Sequence, residues 1–193
     1  MTENDYILGL MAIVSGLAIT YMIGSLYELL SEYDKVSFDW LALMAAGVVG
    51  YTILYGWWVT WAAFHLRTGP LPFWRFLMPM LSVTALALAA RAALPNNVVS
   101  DKLDLAKRYD NHSVWIWRSM LASACILMAG ALVRRISGEV MGTAATPWGL
   151  AGLGITLAWF ATLRLTRSRR VHAVLVPAYL LLLVTSTFAQ PVQ

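Results

Sequence analysis

The sequence predicts an all-α, polytopic integral membrane protein, a compact bundle of six transmembrane helices, and three observations carry that prediction. Apolar residues make up 60% of the chain and charged residues only 12%, with a mean hydropathy of +0.66; ordinary soluble domains sit nearer one half and one quarter. The apolar residues fall in six long blocks, each near the roughly 20 residues needed to cross about 30 Å of hydrocarbon. The breaks between blocks carry most of the Pro, Asn, Asp and Arg, as connections should. The blocks are Tyr6 to Leu30, Trp40 to Phe64, Phe73 to Leu94, Val114 to Val133, Pro147 to Leu165 and Val171 to Ala189. Residues 1–193 therefore read as a single transmembrane domain.

The first block follows an acidic "MTEND", is too long for a signal-peptide core and precedes no small-residue cleavage site, so it is expected to stay in the mature protein. Ala12, Gly16, Thr20 and Gly24 recur every four residues and form one stripe on a helix. Small residues let another helix approach closely in lipid. One further step of four reaches Glu28, an ionisable group at a span end and so a candidate functional residue.

The second block carries Ala42, Ala46 and Gly50 at the same spacing, followed by Thr52, Gly56 and Thr60. Another face holds Tyr51, Tyr55, Trp58 and His65, which could contact a quinone, pigment or lipid tail. Trp57, Trp58 and Trp61 end this block and Trp74 opens the next on the same side; an interfacial aromatic belt accounts for most of that cluster.

Blocks three and six contain Pro79 and Pro177, which remove an intrahelical hydrogen bond and permit a kink. In the connection before block four, Ser100 and Asp101 read as the start of a short interfacial helix over residues 100–109, with Asp104 four residues ahead of Arg108 for a surface pair. The single Cys125 lies within block four, where it reads as a small core residue and allows no intrachain disulfide. Block five opens with "GLAGLG", Gly149 to Gly154, which favours tight helix contact.

Lys and Arg fix the expected orientation. Lys35, Arg91, Lys102, Lys107, Arg108, Arg118, Arg164, Arg167, Arg169 and Arg170 fall on one side, against Arg67, Arg75, Arg134 and Arg135 on the other. Both termini are then outside, and residues 31–39, 95–113 and 166–170 form the inner loops. Topology and anionic lipid account for the formal net charge of +4 without a nucleic-acid partner. Counting spans puts Glu28, Arg91 and Arg118 at similar depth near the inner surface, where they are expected to form one charged cluster or the mouth of an ion path.

Cofactor and enzyme signatures are thin. Haem iron takes axial imidazole, and only His112 and His172, which open blocks four and six on the same side, could share one iron; His65 lies at the far end of block two. No Cys, His and carboxylate set has metal-ligand spacing, so no metal is expected, and haem or quinone remains a lesser alternative. There is no phosphate loop, dinucleotide fingerprint, nucleophile elbow or paired acidic motif within a span, so no catalytic residue is assigned. Lys35, Lys102 and Lys107 all lie in connections, which excludes a retinal-type lysine attachment.

"DYILGLMAIVSGLAIT" at Asp5 to Thr20, the "WW" with a further Trp late in block two, and "DLAKRYDNHSVW" at Asp104 to Trp115 resemble a group of small six-helix bacterial inner-membrane proteins with no known activity. Tyr109, His112 and Trp115 match that group's aromatic, basic, tryptophan pattern. The resemblance implies a six-helix protein of the bacterial inner (cytoplasmic) membrane and supplies no chemistry. The functional expectation is a non-catalytic accessory or scaffold subunit that packs with itself, as a homo-oligomer, or with other membrane subunits among the membrane lipids. The alternative is a small ion or solute channel or transporter with Glu28 in its pathway.

Overall fold

Long apolar runs with few charges leave each backbone polar group to be satisfied inside its own segment, and a helix does this without a partner. The computed structural model describes residues 3–64, 72–95, 102–137 and 146–188. Among them are six long helices: α1 (Glu3–Ser31), α2 (Trp40–Phe64), α3 (Phe73–Ala93), α4 (Leu105–Ile136), α5 (Pro147–Leu165) and α6 (Arg169–Phe188). All six are long and apolar enough to cross a membrane. Threonines fit into these helices by turning back on the chain: the hydroxyls of Thr52, Thr60, Thr84 and Thr162 donate to carbonyls four residues earlier at 2.7–2.8 Å.

The helix starts follow local chemistry. Asp39 caps α2 by accepting the Ala42 N–H at 3.0 Å. Asp104 caps α4 by accepting from the N–H groups of Ala106 and Lys107. Thr146 caps α5 by accepting from Gly149, with Pro147 at the first helical position. Pro79 and Pro177 lie inside α3 and α6.

Helix α2 is the centre, packed against α1, α3, α4 and α6, while α4 packs on α3 and α5. Its buried face is made of Leu41, Ala42, Ala45, Ala46, Val48, Val49 and Ile53. The buried side of α3 is just as small, with Ser82, Val83, Ala85, Leu86, Ala89, Ala90 and Ala93. Small side chains bring the helix axes close, so that dispersion between many atoms holds the helices together. Gly50 marks one such approach: a Cβ there would stand 3.4 Å from the Met22 methyl of α1. Between α3 and α4 the hydroxyls of Ser82 and Ser123 satisfy each other at 2.8 Å in a buried setting.

The described parts of the three loops expected on one side do gather at one end. There a two-residue strand β1 (Val36–Ser37) pairs in parallel with β2 (Leu103–Asp104), Val36 opposite Leu103 and Ser37 opposite Asp104. Three details differ from the sequence reading. Leu105 to Tyr109 are the first turns of α4 itself and not a separate surface helix; Ser100 and Asp101 lie outside the described residues. The cap at Asp104 explains the difference, because its carboxylate serves the α4 backbone while Arg108 turns to the Leu94 carbonyl. Cys125 is exposed and not a core residue, since the buried side of this part of α4 is taken by Met120, Ser123 and Ala124. Gly152 and Gly154 of α5 likewise have open space where a Cβ would stand.

The fold makes a sharp contrast between neighbours. Ala89 is fully buried and Leu88 is exposed. Ala89→Leu should destabilise by about 1–3 kcal/mol through overpacking, lowering the thermal unfolding midpoint of the detergent-solubilised protein, whereas Leu88→Ala should leave it close to the parent value.

Candidate functional site

The densest polar chemistry lies where the three loops meet. Arg169 opens α6, and a cation there faces the positive end of the helix dipole, an unfavourable position on its own. Two carboxylates offset it. Asp39, at the start of α2, pairs with Arg169 Nη2, and Asp110, in the second turn of α4, accepts from Nη1 at 3.2 Å. Asp39 is buried and uses its second oxygen for the α2 cap; Asp110 is exposed. One guanidinium thus joins the first, second and third loops, using the forked geometry that suits arginine to two carboxylates.

One turn along α6 sits His172, only 3% exposed. Its Nε2 lies 2.9 Å from the Thr166 carbonyl, which can only accept, so Nε2 carries the hydrogen. Nδ1 of a neutral ring is then the acceptor, and the Tyr109 hydroxyl 2.7 Å away donates to it. That leaves the Tyr109 oxygen free to accept from Trp117 Nε1 at 3.3 Å. The partners assign the tautomer, and the chain from Trp117 through Tyr109 and His172 to Thr166 runs in one direction with each donor matched.

An aromatic wall completes the joint. Trp117 stacks on Phe160 with centroids 6.1 Å apart, Phe160 meets Tyr179 edge-on at 4.9 Å, and Trp159 donates to the Leu175 carbonyl at 3.1 Å. Helices α4, α5 and α6 are held together here by ring contacts as well as hydrogen bonds. Both ring nitrogens of His172 are occupied, and Nδ1 of His112 lies 3.1 Å from the Arg108 carbonyl of its own helix. An iron shared with His112 would have to displace one of the two His172 bonds. Among the described residues no group of three His, Cys, Asp or Glu side chains could hold a metal ion.

The residues expected to cluster around Glu28 do not meet. Arg91 lies over the Tyr21 ring at 5.0 Å and Arg118 over Trp115 at 5.2 Å, while Glu28 is exposed on α1. The reason is depth. Tyr21, which marks the level of Arg91, stands seven residues from Glu28, about 10 Å along a helix. The stripe of Ala12, Gly16, Thr20 and Gly24 also faces away from the bundle. The inward seam of α1 is instead Met11, Ser15, Ala18, Met22, Ser25 and Leu29, at alternating steps of four and three.

On α2, Gly50 faces Met22, and Gly56 would bring a Cβ within 4.0 Å of Leu86. Tyr51 and Tyr55 stack at 6.4 Å along one side of the helix, Trp58 stacks on Trp61 at 5.2 Å, and His65 lies outside the described residues.

The sequence assigns Asp39, Asp110 and Trp117 no role, and it names Tyr109 only in the resemblance and Arg169 only in the charge count. Two signals were present: Asp39 immediately before an apolar run is a helix-start residue, and Tyr109 and Trp117, eight apart, share a helix face. No protein-family model matches the chain, and no curated protein or solved structure is significantly similar to it.

Removing the central hydroxyl tests the joint. Tyr109→Phe strands the buried Trp117 N–H and His172 Nδ1 together, so the loss should be about 1–3 kcal/mol in chemical unfolding. Asp39→Ala removes a cap and a largely buried ion-pair partner at once and should cost more than Asp110→Asn, whose exposed pair contributes about 0–1 kcal/mol.

Proposed function

We propose that this chain is a multi-pass protein of the bacterial cytoplasmic membrane that works as a non-catalytic accessory or scaffold subunit, docking through the outer face of α1. The carrying observation is the direction of the small-residue stripe. Ala12, Gly16, Thr20 and Gly24 are all exposed, and among the described residues a Cβ on Gly16 or Gly24 would meet nothing within 4 Å. Glycine inside a helix costs about 1 kcal/mol relative to alanine, and here no contact among the described residues offsets that cost. Exposed Ile13, Leu17 and Ile23 border the stripe, so the face is a furrow between apolar ridges. A helix of another membrane subunit or of a second copy fits such a furrow, because close backbone approach is what drives helix pairing in lipid. Glu28, exposed beyond Gly24, offers that partner an acidic contact at the joined end.

The closed hydrogen-bond chain supports a structural role for the joined end. Its donors and acceptors are matched within the protein, which leaves His172 and Tyr109 to hold helices in place. Glu28 on the outer surface of α1 argues against a pathway through one bundle.

Native mass spectrometry of the protein gently extracted from its own membrane tests this reading. Fixed-ratio co-isolation of membrane subunits, or a defined oligomer, is expected; a lone chain would overturn it. Gly16→Ile should abolish that association while leaving unfolding of the isolated chain unchanged or slightly improved, since the new side chain enters open space. Glu28→Gln should leave ion flux into reconstituted vesicles unchanged.

A further inference from the structure

The end of α3 carries a second feature, separate from the Arg169 joint and from the α1 furrow. Its interpretation rests on the reading that the helices span a bilayer. Helix α3 has 21 residues, about 31 Å at 1.5 Å per residue, which equals the hydrocarbon thickness. Its last carbonyls therefore fall at the boundary between hydrocarbon and headgroups. Helices α1 and α4, with 29 and 32 residues, are longer than the hydrocarbon is thick.

At that boundary the Leu94 carbonyl, left without an intrahelical donor, accepts from the Tyr21 hydroxyl at 3.1 Å and from Arg108 Nη2 at 3.3 Å. Arg91 covers the Tyr21 ring from α3. One guanidinium thus covers the Tyr21 ring and another, from the neighbouring helix, shares the Leu94 carbonyl with the Tyr21 hydroxyl. Neither has a carboxylate partner among the described residues: the ion pairs at this end join Glu32 to Lys35 and Asp39 and Asp110 to Arg169, and Asp104 is engaged in the α4 cap. Arg108 Nε is enclosed and unpartnered. Two cations beside one tyrosine at the edge of a low-dielectric slab, neither with a carboxylate, favour an anion.

We propose that Arg91, over the Tyr21 ring, and Arg108, on the carbonyl that the Tyr21 hydroxyl also engages, bind the phosphate of an acidic phospholipid. A phosphodiester is the anion present at that depth, and arginine matches its oxygens with paired N–H donors. Two cations also select against a zwitterionic lipid, whose ammonium one of them would repel. Arg91 is exposed and so accessible to a headgroup, and the partly buried Arg108 supplies the second charge.

The full chain, solubilised and stripped of lipid, is titrated with phosphatidylglycerol and separately with phosphatidylcholine, with bound lipid read by native mass spectrometry. One phosphatidylglycerol is expected to be retained in preference to phosphatidylcholine. Arg91→Gln, a change at an exposed side chain that spares the fold, should weaken retention about tenfold, the scale of one charge-assisted contact. Arg91→Gln with Arg108→Gln should abolish the preference, and Arg170→Gln, an exposed change at the same end, should preserve it. Equal retention of both lipids, or unchanged retention in the Arg91 variant, would overturn the site. Displacement of the lipid by millimolar inorganic phosphate, with the same dependence on Arg91, would assign the site to a soluble anion instead. Reconstitution into vesicles separates the two readings: a fully inserted chain without lipid preference overturns this site alone, and a chain that does not insert overturns the spanning reading with it.

Discussion

The cation at the head of α6 is the constraint on which the joined end depends. A helix start repels positive charge, so Arg169 is tolerable only with anions around it, and the anions come from two other loops. Meeting that requirement fixes where α2 and α4 begin relative to α6. It also sets the position of His172, three residues on, against Tyr109. The β1 and β2 pair then has little freedom left, because Ser37 and Asp104 are tied to segments that the arginine already holds.

Away from that end the bundle relies on different physics. Alanines and serines of α2 and α3 bring backbones together, and the Ser82 and Ser123 pair is a small polar contact in an otherwise apolar seam. Interhelical hydrogen bonds of this kind contribute only about 1 kcal/mol each in membranes. Dispersion across closely packed faces therefore carries most of the cohesion in the middle, and matched polar groups carry most of the specificity at the joined end.

Helix positions were legible in the sequence because length and hydropathy alone set them, and the boundaries of α2 and α5 coincide with those expected. The facing of α1 was not. Its stripe of Ala12, Gly16, Thr20 and Gly24 and its inward seam of Met11, Ala18, Met22 and Leu29 are both regular patterns, and a single sequence does not say which one the bundle takes. The expected meeting of Glu28, Arg91 and Arg118 failed for a related reason: counting spans assigns residues to an end but not to a height, and a step of seven residues is already about 10 Å. The His172 chain lay beyond reach because its members come from distant parts of the sequence. Only their three-dimensional placement turns a tyrosine, a tryptophan and a histidine into matched donors and acceptors.

Order of synthesis gives the Arg169 joint a temporal meaning. Asp39 precedes its arginine by 130 positions and Asp110 precedes it by 59. At roughly 5–20 residues per second, the first carboxylate waits about 6–26 seconds for its counter-charge. Until then the nascent bundle has α1 to α5 at hand but lacks the group that ties the start of α2 to the start of α4. The sixth helix is therefore the latch of the assembly, and a chain truncated before it would be left with two unneutralised acids at the seam it was meant to close.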